Sequence, residues 1–165
     1  MREEYKKRLQ ELGLNEKKYI TLNRGADSMG RSKMQTKVWP LEHYNDFVVL
    51  FKNQYPDIEI VQVGASGNAK IRGVDKYILG ESLEVTKWIL KGSILHLDCE
   101  GGLVHLATQL DTKCAVVFGP TPKHFMNIHK ILIWCMKDVI IVWEHIQSGH
   151  LNVIRDYQNP NVCIK

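Results

Sequence analysis

Short apolar runs alternate with amphipathic runs of helical period from residue 19 to residue 118. That alternation narrows the fold more than any other feature of the chain. It begins with an apolar strand at 19–22. After Pro40 a helix is expected over 41–54, with Phe47, Leu50 and Phe51 on one face. A strand at 58–63 closes at Gly64, a polar loop covers 65–74, and a short strand at 77–79 ends at Gly80. Ser82 reads as the N-cap of a helix whose apolar face is Val85, Trp88, Ile89 and Leu90, stopped by Gly92. A strand at 94–97, a helix from the two glycines at 101 and 102 to Leu110, and a strand at 114–118 complete the series. Such alternation builds an α/β fold, a Rossmann-like parallel sheet with helices on both faces. Ligands of these sheets bind beyond the carboxyl ends of the strands. The polar loops after Leu22, Gly64, Leu79, Leu97 and Phe118 all fall at that edge.

Both flanks of the series are less regular. Residues 2–12 read as a surface helix with Tyr5, Leu9 and Leu12 on one side and Gly13 as its stop. The polar loop 23–36 is long for a strand-to-helix connection, where about 2–6 residues are usual, which marks it as functional or mobile. In the tail, 131–134 fits a strand, 136–146 has a helical pattern although rich in β-branched residues, and 152–165 shows no period. The chain is expected to be a single domain over 1–165, with 1–14 a leading helix of interdomain type. Residues 123–165 are expected to form a C-terminal segment packed around the sheet.

Composition removes several function classes. Net charge is only +4, with no long basic block, which argues against nucleic acid as a partner. No apolar run reaches the ~18 residues of a membrane span; the longest, 131–143, is broken by Lys137 and Asp138. The charged start of the chain lacks the apolar core of a signal peptide, so a cytoplasmic location is expected. Cys99, Cys114, Cys135 and Cys163 form no C-x-x-C pair, and Cys99 and Cys114 read as buried reduced thiols. His124 and His129, like His145 and His150, are five residues apart, a spacing that splays them on a helix. No metal site is expected.

The run Glu100-Gly101-Gly102-Leu103-Val104-His105-Leu106-Ala107 carries the chemistry. Glycines where a strand meets a helix let the backbone approach a ligand closely. The open N–H groups of the helix start, backed by the helix dipole, then face that ligand. This is a phosphate-binding arrangement and suggests a nucleotide or nucleotide-sugar; a plain tight turn is the alternative.

Together with two further motifs, this run resembles the C-terminal half of glycosyltransferase family 9, the ADP-heptose:lipopolysaccharide heptosyltransferases. The motifs are Lys37-Val38-Trp39-Pro40 before a helix, Ser82-Leu83-Glu84 at the start of the next, and the Glu100 run followed by Phe118-Gly119-Pro120-Thr121. The likeness covers roughly residues 18–122, and Pro160-Asn161-Val162-Cys163 resembles a Cys-containing tail of the family. It implies one half of a two-domain GT-B enzyme and a donor site for a nucleotide-diphospho-sugar, with no other cofactor. Carried over, Lys37 would contact the donor phosphates, and the backbone of Gly101, Gly102 and Leu103 would cradle the diphosphate. Glu100 stands where the family has Asp and would bind ribose or sugar hydroxyls; His105 matches the family's His. Asn23, Arg24, Gly25 and Ser82 complete the candidate donor-binding set. A solvated loop lysine is the alternative for Lys37, and a core histidine for His105.

The sequence departs from the family at three points. Glu100-Gly101 replaces the usual Asp-Thr, the loop 23–36 is longer, and the stretch after Gly64 lacks a Glu near the nucleoside. The base and sugar of the donor therefore stay open. The resemblance implies that the catalytic base belongs to an N-terminal acceptor domain, which is expected to be absent from this chain; within the chain, Asp27 is the one carboxylate worth testing. The expected role is the donor half of an inverting, metal-independent glycosyltransferase of lipopolysaccharide or other surface-glycan synthesis, inactive alone. The full enzyme would associate peripherally with membrane. Half of a nucleotide-sugar epimerase, or a non-catalytic binding or assembly module, are the alternatives.

Overall fold

The computed structural model describes residues 3–14, 17–24, 38–118, 131–135, 138–143 and 152–155. In chain order the elements are α1 (Glu3–Glu11), β1 (Tyr19–Leu22), α2 (Leu41–Gln54), β2 (Glu59–Gly64), β3 (Lys76–Leu79) and α3 (Leu83–Gly92). Then come β4 (His96–Cys99), α4 (Gly102–Gln109), β5 (Cys114–Phe118), β6 (Ile131–Cys135), β7 (Asp138–Trp143) and β8 (Asn152–Arg155). The strands form one sheet in the order β3-β2-β1-β4-β5-β6-β7-β8. Pairing is parallel from β3 through β6 and antiparallel from β6 to β8. The parallel part has the 3-2-1-4-5-6 order of a doubly wound sheet, whose direction of winding reverses between β1 and β4.

Alternation along each strand divides the core into two layers. Tyr19, Val61, Val63, Cys114 and Val116 face α1, α3 and α4 and pack with Leu14, Val85, Ile89, Leu90, Val104 and Ala107. Ile20, Leu22, Ile60, Leu97, Cys99, Ala115 and Val117 face the other way, against Trp39, Tyr44 and Val48 at and along α2. Both faces of the sheet are therefore covered by helices, as the sequence implied.

Helix ends follow local chemistry. Gly13 stops α1 in the left-handed conformation (φ 66°). Its N–H bonds Gln10 O at 2.9 Å, and the Leu14 N–H reaches back to Leu9 O at 3.0 Å, a Schellman closure sealed by the Leu9 and Leu14 side chains. Lys76 Nζ adds hydrogen bonds to Leu12 O (3.1 Å) and Gly13 O (2.8 Å), tying the end of α1 to β3. Ser82 caps α3, its Oγ accepting the Val85 N–H at 3.2 Å.

Four expectations are corrected. Residues 138–143, expected to be helical, form β7; the run Val139-Ile140-Ile141-Val142 is β-branched throughout and suits a strand better than a helix. The tail therefore extends the sheet instead of only packing around it. Leu50 is 68% exposed, and α2 instead buries Tyr44 and Val48. The fourth strand begins two residues later than expected, at His96, which brings polar residues into the middle of the sheet. No helix among the described residues is long and apolar enough to cross a membrane.

Candidate functional site

The winding reversal opens the sheet between the carboxyl ends of β1 and β4. Asn23 and Arg24 follow β1 there, and Glu100, Gly101 and Gly102 follow β4. The Asn23 N–H bonds Leu97 O at 2.9 Å, so the two strand ends stay in register up to the site.

Gly101 is the N-cap of α4, and no side chain caps this helix. The contrast with α3, closed by Ser82, is direct: the N-cap of α4 makes no side-chain cap hydrogen bond among the described residues, and the positive end of the helix dipole faces the winding reversal. A Cβ on Gly102 would meet nothing within 4 Å, so the backbone there is open to an approaching group. His105 sits one turn into α4 and is exposed, which removes the core-histidine alternative. Leu103 is partly buried against the core, leaving only its backbone for a ligand. Glu100 is half-buried.

A buried polar network lies beneath this turn. Asn23 Nδ2 donates to Asp98 Oδ2 at 2.8 Å, and Asn68 Nδ2 donates to Asn23 Oδ1 at 3.0 Å. Asp98 Oδ2 also lies 3.5 Å from His96 Nε2, and His96 Nδ1 is 3.0 Å from Thr21 Oγ1. His96 and Asp98 are fully buried. Asp98 Oδ2 is 3.8 Å from where a Gly101 side chain would begin, so the carboxyl group underlies the cap of α4. Burial raises the Asp98 carboxyl above the ordinary range; His96 and Asn23 pull it partly back. Neither Asp98 Oδ1 nor His96 Nε2 has a hydrogen-bond partner among the described residues.

Gly64 makes room for the network. At φ 138° it adopts a backbone other residues avoid, and a Cβ there would stand 2.5 Å from Asn68 Nδ2 and 2.7 Å from Asn23 Oδ1. The loop that carries Asn68 is held in turn by buried Gln62, which donates to Ala69 O and accepts from the Ile71 N–H, each at 2.8 Å.

Cys99 joins the site to the start of α2. Its Sγ accepts the Trp39 N–H at 3.2 Å and lies 3.2 Å from Tyr44 Oη, while Tyr44 Oη donates to Asn23 O at 3.1 Å. The Trp39 and Tyr44 rings meet edge to face, 4.9 Å apart. Burial raises both the Cys99 thiol and the Tyr44 phenol, so both stay protonated. The Trp39-Pro40 half of the Lys37-Val38-Trp39-Pro40 motif thus abuts the residue before Glu100. Lys37 itself, with Gly25 and Asp27, lies outside the described residues.

Of the candidate residues, Asn23, Arg24, Glu100, Gly101, Gly102, Leu103 and His105 gather at or just beyond the winding reversal. Ser82 follows β3 at the sheet margin, two strands away from β1, with its hydroxyl oxygen engaged in capping α3. Sequence reasoning missed Asp98, His96, Asn68 and Gly64. The available signal was His96-x-Asp98 inside an apolar strand, a period-two pair that puts two titratable groups on one face just ahead of the glycines.

In sequence, no family model and no curated protein matches the chain. Solved structures match it in fold. The E. coli ADP-heptose LPS heptosyltransferase II superposes with a TM-score of 0.63 at 19% identity, covering 81% of this chain and 43% of that one. A glycosyl transferase family 9 protein from Veillonella parvula superposes with a TM-score of 0.64 at 14% identity, covering 82% and 41%. E. coli heptosyltransferase WaaC with ADP follows at 0.59 and 20% identity, covering 72% and 38%. The chain spans less than half the length of each of these structures. Its fold is that of the family 9 heptosyltransferases.

Proposed function

We propose that this chain is the donor-binding domain of a glycosyltransferase and takes a nucleotide-diphospho-sugar at the start of α4. The observation that carries the reading is the uncapped N-terminus of α4 at the winding reversal of a heptosyltransferase-like fold. An uncapped helix start beside two glycines supplies N–H donors and positive potential to a diphosphate. The solved neighbours support the ligand class: among them are heptosyltransferases with ADP, with ADP-2-deoxy-2-fluoro heptose and with ADP-D-beta-D-heptose.

The reaction proposed is inverting glycosyl transfer, in lipopolysaccharide or other surface-glycan synthesis, without a metal. Negative charge grows on the departing nucleotide diphosphate as the glycosidic bond breaks. The N–H groups of Gly102 and Leu103 and the dipole of α4 stabilise that charge where it develops. Lys37, as the family resemblance implies, adds a cation. Glu100, an anion next to the phosphate cradle, takes hydroxyls of the ribose or sugar. The base that activates the acceptor comes from an N-terminal acceptor domain in a longer assembly, so the chain alone binds donor without transferring it.

Thermal shift and calorimetry with ADP-, UDP- and GDP-sugars, with and without Mg²⁺, test the reading. One class should bind without metal and raise stability by about 2.7 kcal/mol at a hundredfold excess over Kd. Lys37→Ala should weaken that binding at least tenfold. Binding that requires Mg²⁺, or none from any donor, defeats the proposal.

A further inference from the structure

Asp98 plays no part in the phosphate cradle, and a buried carboxyl group beneath a helix start that receives an anion is an expensive thing to keep. Its surroundings explain what it does. Through Asn23 it holds the loop after β1, and through Asn23 and Asn68 the loop after β2, while it rests against the cap of α4. Two loops of the site edge are thus hydrogen-bonded to one side chain that also lies under the cap of α4; among the described residues that side chain leaves Oδ1 without a hydrogen-bond partner, and its Oδ2 lies 3.5 Å from a histidine nitrogen equally without one. We propose that Asp98 is a positioning residue for the donor site, and that the Asp98–His96 pair gains one proton when a diphosphate docks at the start of α4. The inference rests on the donor-site reading above.

The electrostatic argument is short. A diphosphate brings negative charge to the cap of α4, and the Asp98 carboxyl group is 3.8 Å from the side-chain position of that cap. Away from water, like charges at such range interact strongly, and the pair relieves the repulsion by binding a proton. The groups facing Asp98 from each packed element are few. His96 and Cys99 come from β4, Tyr44 from α2 and Cys114 from β5, with Arg24, from the turn after β1, acting on Tyr44 and Cys99. The Cys99 thiol and the Tyr44 phenol are raised by burial and the Cys114 thiol is pushed up to about 12, so these three stay neutral. The buried pair beneath the cap, Asp98 with His96, is the proposed home of that proton; Glu100, half-buried beside the phosphate cradle, and His105, exposed on the ligand side, are the competing ones.

Calorimetry of the full chain with ADP-glucose, UDP-glucose and GDP-mannose tests the proposal. Their diphosphates are diesters and carry constant charge from about pH 5.5 to about pH 8.5, so any proton exchanged belongs to the protein. Titrations in buffers of different ionisation heat count it directly. The wild-type chain should take up close to one proton, and affinity should fall by up to about tenfold per pH unit at the steepest part of the profile. Asp98→Asn keeps the shape and an acceptor for Asn23; it should remove the uptake and flatten the profile, whereas Glu100→Gln and His105→Gln should keep the uptake wherever they still bind. A wild type that binds without taking up a proton overturns the proposal, even if Asp98→Asn fails to fold. So does uptake that survives in Asp98→Asn, or that vanishes in Glu100→Gln or His105→Gln while binding persists. Absence of binding at every pH overturns the donor-site reading, and the coupling falls with it.

Discussion

Asp98 gives the folded chain a pH dependence even without ligand. Its carboxyl group is held above the ordinary range by burial, so over the interval between its unfolded and folded pKa the native state keeps a proton the unfolded state has lost. This source of stability is complete at low pH and declines as pH rises through that interval. Asp98→Asn has no such decline. Urea unfolding at a series of pH values should show the variant gaining on the wild type as pH rises; a constant difference would contradict this. Gly64 is the other residue on which the network depends. Gly64→Ala combines a disfavoured φ of 138° with contacts of 2.5 and 2.7 Å to the two asparagines. It should cost about 1–3 kcal/mol in unfolding free energy and weaken nucleotide-sugar binding in parallel. These residues were hidden because a buried parallel strand reads as an apolar run, and polar side chains within it look like interruptions until their partners on other strands are known.

Elements were legible where local chemistry decides them. Ser82 and Gly13 announce the ends of α3 and α1 because a cap and a left-handed turn are short-range events, and both are present in the structure. Ser82→Ala should lower stability by about 1 kcal/mol and Gly13→Ala by a similar amount, each measurable by denaturant titration. Gly101 makes the opposite prediction: with no side-chain cap to lose, Gly101→Ala should leave stability nearly unchanged, while crowding the ligand lowers donor affinity. What failed was set at longer range. The helical pattern of 136–146 yielded to pairing of β7 between β6 and β8, and Leu50 lost its expected burial to Tyr44 and Val48. Periodicity cannot tell which neighbour a segment will find, and β-branched composition was the better guide there. Of the site, the glycine turn was legible because it is continuous in sequence. The network beneath it was not, because it is assembled from β1, β4 and the loop after β2.

At the scale of the whole molecule, two helix-covered core layers enclose Cys99 and Cys114, both free and buried. Thiol reagents should modify these two only as fast as the native chain opens, and ligand that binds the folded form should slow them further. The clasp at the site has a consequence for the order of events in folding. Asn23 meets Asn68 across 45 residues of chain and Asp98 across 75. Contacts of such separation close late, after the local helices, because the intervening chain must first lose its freedom. During synthesis, a chain not yet extended past Asp98 lacks the keystone of the clasp as well as the helix start that follows it. On the proposed function, the ability to hold donor would therefore be acquired in one late step, and a half-made chain would have no weak version of the site with which to sequester nucleotide-sugar.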